Sequence, residues 1–111
     1  MSWIQLTRSD QLDDIDRTSY DRPVLIYKHS TRCSLSNIAF QRIEGLVNEL
    51  PTYFLDLIKH RGLSDEIEKR YKVYHESPQL LLIRDGECVY EASHMDIHAD
   101  TIRDQVSTLP G

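Results

Sequence analysis

Cys33 stands where a short apolar run, Val24-Leu25-Ile26-Tyr27-Lys28-His29, gives way to small polar residues and then to a helical pattern. That junction favours thiol chemistry. A helix start carries roughly half a positive elementary charge and several N–H groups without intrahelical partners. Both stabilise a thiolate over a thiol, and the thiolate is the species that attacks a disulfide. Three residues beyond Cys33 stands Ser36, not a second cysteine. The pattern predicts a redox centre with one cysteine, Cys33 being the nucleophile. Its neighbours Ser30, Thr31, Arg32, Ser34 and Ser36 are polar. They argue against the buried apolar filler that a free cysteine commonly is.

Arg32 carries a fixed charge that would lower the thiol pKa or bind an anionic group, with a solvated surface arginine as the alternative. Thr31 and Ser36 are candidate hydrogen-bond donors to the thiolate, although Ser36 would equally cap the helix or face water. His29 and His94 are the titratable pair of interest. His29 closes the apolar run and would orient the loop. His94 would shuttle a proton or bind an acidic group, or else be a loop histidine bonded to backbone. His60, His75 and His98 show no spacing typical of a metal site, and no metal is expected. Cys88 alternates with Tyr90 and Ala92 against Glu87, Val89 and Glu91, so it is expected on the core face as apolar filler. A resolving role would bring its Cα within about 7 Å of that of Cys33.

The elements that must position Cys33 follow from periodicity. Ser9-Asp10 ahead of Leu12 and Ile15 predicts a capped, acidic helix ending near Tyr20. Val24–His29 reads as a strand covered on both faces. Leu35, Ile38, Ala39, Ile43, Leu46, Val47 and Leu50 form one helical stripe, closed by Pro51. Tyr53–Ile58 is a second two-sided strand. Gly62 and Ser64 precede a helix from about Asp65 to Tyr71. Gln79–Arg84 is a third strand, and Asp85-Gly86 turns it into a fourth, Glu87–Ala92. A last helix runs from about His98 to Ser107. The order αβαβαββα implies an α/β fold with a four-stranded mixed sheet and helices on both faces. This is the thioredoxin-like arrangement, in one domain over residues 1–111.

Composition narrows the function. The 111 residues carry a net charge of −5, and the 13 basic residues form no tract, which argues against nucleic acid as a partner. No apolar stretch approaches the roughly 20 residues that span a bilayer, so no membrane role is expected. Met1-Ser2-Trp3-Ile4-Gln5-Leu6 lacks the basic and apolar regions of a secretion signal. With two cysteines, the chain is poor in thiols for a disulfide-stapled secreted domain, and the cytoplasm is the expected compartment.

Three stretches, Lys28-His29-Ser30-Thr31-Arg32-Cys33, His75-Glu76-Ser77-Pro78-Gln79 and Ala92-Ser93-His94, carry a resemblance to a known family. In order and approximate spacing they resemble the monothiol bacilliredoxin family, thioredoxin-like proteins of the bacillithiol system, and the likeness covers almost the whole chain. It implies thiol-disulfide exchange in the cytoplasm on client proteins that carry bacillithiol as a mixed disulfide. Bacillithiol itself would be the co-substrate. Cys33 would take bacillithiol from the client, and a second small thiol would then remove it. Thr31, Arg32, Ser34, Ser36 and His94 would stabilise the thiolate or bind the small thiol, whose malate carboxylates suit the Arg32 guanidinium. Ser77-Pro78 would hold a cis bond facing the cysteine, against a prior of about 5–6% for any X–Pro bond. The Ser77 backbone would pair with an extended client segment. A monomer is the expected state.

Relatives commonly have Pro directly after the cysteine, where this chain has Ser34. That residue leaves free an N–H that Pro would withhold, which bears on thiol pKa and redox potential, not on the fold. Two other readings remain open. One is an iron–sulfur carrier that shares a cluster between two copies through Cys33 and external thiols. The other is a non-catalytic thioredoxin-fold module that binds partners beside Ser77-Pro78.

Overall fold

The computed structural model describes residues 3–30 and 34–109. In chain order its strands and helices are β1 (Ile4–Gln5), α1 (Gln11–Ser19), β2 (Val24–His29), α2 (Ser34–Ile43), β3 (Thr52–Asp56), α3 (Arg61–Tyr71), β4 (Gln79–Arg84), β5 (Glu87–Ser93) and α4 (Ala99–Ser107). Short 3-10 helices follow α2 at Glu44–Asn48 and β5 at His94–Asp96. The sheet has five strands in the order β1-β3-β2-β4-β5, one more than expected. β1 and β2 run parallel to β3, while β4 is antiparallel to both β2 and β5.

The additional strand, β1, has two residues, both exposed. So short a piece shows no alternation, and pairing with Tyr53 and Phe54 is what makes it a strand. Other boundaries move for local reasons. α3 starts earlier than its apolar stripe indicates, because the His60 carbonyl already accepts the N–H groups of Leu63 and Ser64. β3 stops at Asp56, whose carboxylate accepts the N–H of Ile58 at 3.0 Å and so turns the chain. At α1 the expected Asp10 cap makes no side-chain bond to the helix amides, its carboxylate instead accepting from Arg8 Nε at 3.0 Å. Gln11, the first residue of α1, ties down the approaching chain instead: its Oε1 accepts the N–H groups of Thr7 and Arg8, and its Nε2 donates to the Gln5 carbonyl. Asp85 and Gly86 join β4 to β5 with φ of 55° and 75°, the positive values that a tight hairpin turn requires.

β2 is buried along its whole length and feeds two cores. Val24 and Ile26 pack with Leu12 and Ile15 of α1 and with Leu63, Ile67 and Tyr71 of α3. Leu25 and Tyr27 pack with Ala39 and Ile43 of α2 and with Ile102 of α4. Helices therefore cover both faces, as the two-sided strands imply.

Cys88 departs from the expected face. Leu82 pairs with Tyr90, but the next residue of β4, Ile83, pairs with Cys88, so Val89 is an extra residue in β5. Such a bulge resets the alternation. Cys88 turns to the α1/α3 core, while Tyr90 and Ala92 face α2 and α4. Register also sets its distance from the Cys33 end of the sheet. Ile83 lies opposite Val24 as well, so Cys88 sits level with the start of β2. The six residues of β2 make five steps of about 3.3 Å, which places His29 roughly 16 Å away along the sheet. That separation from the strand end leading to Cys33 compares with the roughly 7 Å between Cα atoms that a resolving pair requires. Burial pushes its thiol up to about 11 from 9.0. At pH 8 the thiolate fraction therefore drops roughly a hundredfold, and folded Cys88 is expected to react with iodoacetamide slower than an unfolded control by about that factor. Mass spectrometry of the Cys33→Ser chain checks this.

Candidate functional site

The site is assembled at the end of the sheet where β2 hands over to α2. Thr31, Arg32 and Cys33 lie outside the described residues, and the groups on either side of them are tied together. Ser36 is fully buried. Its Oγ accepts the N–H of Ser30 at 3.2 Å, and its carbonyl accepts the Tyr27 hydroxyl at 2.7 Å. Ser36 is thus a latch between strand end and helix start, where the sequence leaves a cap, a solvated residue or a thiolate donor open. Ser34 is exposed at the first position of α2.

Tyr27 also fixes His29. The tyrosine hydrogen goes to the Ser36 carbonyl, so the 3.3 Å contact between Tyr27 Oη and His29 Nδ1 is made by an Nδ1–H of the ring. His29 is buried against Phe54 and Phe40, with ring centroids at 5.1 and 5.8 Å. Burial holds its pKa below 6.5, against the opposing pull of Asp56. It is neutral at pH 7.

The other two motifs converge here. The Ser77–Pro78 peptide bond is cis. His94 donates its backbone N–H to the Pro78 carbonyl at 3.0 Å, and its Nε2 lies 3.1 Å from Glu76 Oε2. Arg42 of α2 donates to the Met95 and Ile97 carbonyls, holding the turn after β5 against the helix. His94 is therefore a strut on the Glu76–Pro78 segment, bonded through both ring and backbone. Gln79 steadies the same segment from inside: its Nε2 donates to the Tyr74 carbonyl and to Glu91.

Lys28 and His75, which open two of the three motifs, join in a network with Ser64 and Glu68. Lys28 is fully buried. Its Nζ is 3.4 Å from His75 Nδ1, which Ser64 Oγ also meets at 2.8 Å. The His75 N–H donates to Glu68 Oε2 at 2.7 Å. Burial lowers Lys28 to about 8, with Glu68 and Asp65 pulling the other way. At pH 7 the ammonium is charged. Burial and the charges of Lys28 and Arg61 push His75 below its ordinary 6.5. Lys28 carries a readable signal, since a lysine inside a two-sided apolar strand is almost never buried without a partner. His75 is marked only as the first residue of the His75–Gln79 motif, and Arg61 carries no signal.

Two grooves lie at this end of the sheet, one reaching Ser30 and the other His29. One, about 170 Å³, is lined by Ser30, Leu57, Ile58, Arg61, His75 and Ser77. The other, about 260 Å³, is lined by Trp3, Gln5, His29, Asn37, Phe40 and Phe54. Among the described residues no cluster of His, Cys, Asp or Glu could hold a metal ion. No described helix is long and apolar enough to cross a membrane.

Known structures share this architecture. A protein described as a putative oxidoreductase with a thioredoxin fold superposes with a TM-score of 0.82 at 30% identity, covering 91% of this chain and 90% of that one. A mutant thioredoxin from Halobacterium salinarum NRC-1 gives 0.76 at 21% identity, over 98% of this chain and 95% of that one. Mitochondrial thioredoxin 3 of Saccharomyces cerevisiae gives 0.75 at 13% identity, over 96% and 95%. The protein is thus of the thioredoxin-like class, with a single cysteine at the strand-to-helix junction. Residues 4–102 match the model of the monothiol bacilliredoxin BrxC family, and the chain belongs to that family. Membership makes it a thiol oxidoreductase of the monothiol kind, for which a low-molecular-weight thiol is the implied co-substrate.

The burial of His29 predicts a pH effect. Its folded pKa lies below 6.5, so between those values the unfolded chain binds the proton first. Stability is then lost as pH falls through that window. His29→Phe keeps the aromatic packing and removes the titration. Its urea midpoint is expected to fall less than the wild-type midpoint between pH 7 and 5, and an equal fall would exclude His29 as the titrating group.

Proposed function

We propose that this chain removes bacillithiol from client proteins that carry it as a mixed disulfide, with Cys33 as the nucleophile. The family match over residues 4–102, which includes Cys33, carries this reading. The Cys33 thiolate attacks the bacillithiol sulfur. A bond forms between those two sulfurs, the client–sulfur bond breaks, and the client leaves as a thiolate that takes a proton from water. A second small thiol, as its thiolate, attacks the bacillithiol sulfur now on Cys33. The products are a small-molecule disulfide and the regenerated Cys33 thiolate. Two electrons pass from the small thiol to the client, and no second protein cysteine takes part.

The flanking residues divide the work. The amides at the start of α2, including the Ser34 N–H, stabilise the Cys33 thiolate, with Thr31 as a further donor. Arg32 lowers the thiol pKa or meets a carboxylate of the small thiol. The Ser36 latch sets where strand end and helix start face each other, and the His94 strut fixes the Glu76–Pro78 segment. The Ser77 backbone pairs with the extended client strand around the mixed disulfide. We place this activity in the cytoplasm, in a single-domain monomer. Rates follow thiolate fraction and nucleophilicity together, so a Cys33 pKa near ambient pH serves better than the lowest attainable value.

The test follows the mass of a bacillithiolated client. Wild type and Cys88→Ser are expected to remove the adduct at rates within about twofold of each other, given the inert position of Cys88. Cys33→Ser is expected to leave the adduct in place. Adduct loss that survives Cys33→Ser would eliminate the nucleophile. A brown protein after anaerobic reconstitution with iron and sulfide would instead favour the cluster carrier.

A further inference from the structure

The groove of about 170 Å³ beside Ser30 is lined by polar groups whose bonding is incomplete. Ser77 Oγ is shut off from solvent and has no hydrogen-bond partner among the described residues. A buried hydroxyl in that state costs stability until something pairs with it. Arg61 is the first residue of α3 and is exposed. No described carboxylate pairs with it, and the first turn of α3 holds no acidic residue. The acidic residues of α3 begin with Asp65, one turn beyond Arg61, so the exposed guanidinium and the helix start carry the positive potential at this rim.

His75 completes the lining. An ammonium has hydrogen-bond donors only, so the contact from Lys28 Nζ makes His75 Nδ1 an acceptor. Ser64 Oγ meets the same atom. The ring proton is then on Nε2, which no described residue bonds. The acidic neighbours on α3 are Asp65 and Glu68, and Glu68 is held by the His75 backbone N–H. Lys28, beneath, adds a cation from β2. Around the recess Lys28 and Arg61 balance Asp65 and Glu68, and Arg61 is the exposed cation in its lining.

We propose that this groove is the subsite for the carboxylate end of the small thiol, gripped by the Arg61 guanidinium and His75 Nε2–H. The proposal rests on the thiol-exchange reading and adds where the co-substrate places its charge. Size favours a small molecule over a peptide: the volume equals about six waters at roughly 30 Å³ each. Ser30 puts the groove three residues from Cys33 in the chain, and Ser77 puts it next to the cis-proline.

The test uses the Cys88→Ser chain with Cys33 loaded as a 2-thiopyridyl mixed disulfide. An incoming thiolate attacks the Cys33 sulfur, forms a new disulfide there and expels pyridine-2-thione, which is read by absorbance. Mercaptosuccinate, a dicarboxylate thiol, is compared with uncharged 2-mercaptoethanol. Arg61→Gln is expected to lower the ratio of the two rates roughly tenfold, the scale of one charge-assisted hydrogen bond. Arg61→Lys should recover part of the loss, and added salt should reduce the ratio in the parent. An unchanged ratio in Arg61→Gln overturns the subsite, whatever that variant does to a client with acidic flanks. A lowered ratio, alongside wild-type protein that leaves a bacillithiolated client untouched, supports the subsite and sinks the catalytic reading instead.

Discussion

The hydroxyl and carbonyl of Ser36 hold together the two elements between which Cys33 lies. One accepts the Ser30 N–H and the other the Tyr27 hydroxyl, so the last residue after β2 and the first turn of α2 share one buried residue. Losing either bond would strand a buried polar group, at about 1–3 kcal/mol. That cost exceeds thermal energy several-fold and keeps strand end and helix start in register. Tyr27 is itself immobilised by Trp3, Phe40 and Phe54, whose ring centroids stand 5.8, 6.3 and 6.0 Å away. Core packing on the α2/α4 face is thereby converted into geometry at the functional end of the sheet.

The opposite face makes its contribution through Lys28. Adjacent residues of a strand point to opposite sides, so Tyr27 and Lys28 support the site from the two layers in turn. Burying an ammonium carries a large desolvation cost, visible in its drop to about 8. The fold retains it, with His75 Nδ1 at hydrogen-bond distance. Replacing it by a hydrocarbon would remove the desolvation cost but release the tautomer of His75. The buried charge is best understood as a positioning group, in line with the weak case for buried ions as stabilisers.

Much of this architecture is readable in the chain. β2, β4 and the Asp85-Gly86 turn are unambiguous because their apolar runs and turn residues agree with each other. The two-sided strands correctly require helices on both faces. What escapes is non-local. β1 is made by a pairing partner about fifty residues away, Ile4 against Tyr53, not by its own pattern. The bulge at Val89 defeats the period-2 rule, which carries no information about inserted residues. Ser36 reads as surface, cap or thiolate donor because its polarity says nothing about the Tyr27 and Ser30 groups that bury it. Arg61 and His75 come together with Ser77 through the crossover from β3 to β4, and no local spacing marks that meeting.

The position of the second thiol follows from the same geometry. A resolving cysteine would have to sit within about 7 Å of its partner, Cα to Cα. The position three residues after Cys33 holds a buried, doubly engaged serine, and its hydroxyl cannot form a disulfide. Cys88 is turned by the bulge into the α1/α3 core at the far end of β2, with its thiol donating to the Tyr90 carbonyl at 3.3 Å. The serine cannot discharge a mixed disulfide on Cys33, and Cys88 stands far from the strand end that leads to it. A monothiol centre must therefore admit its second thiol from solution, and the functional end of the sheet has to stay open to one. Its two grooves differ in character. One is walled by aromatic rings, the other by Arg61, His75 and an unpaired serine hydroxyl. Under the proposed exchange, the aromatic groove suits an apolar client segment and the polar one suits the charge of a small thiol, so the two ligands need not compete for the same contacts.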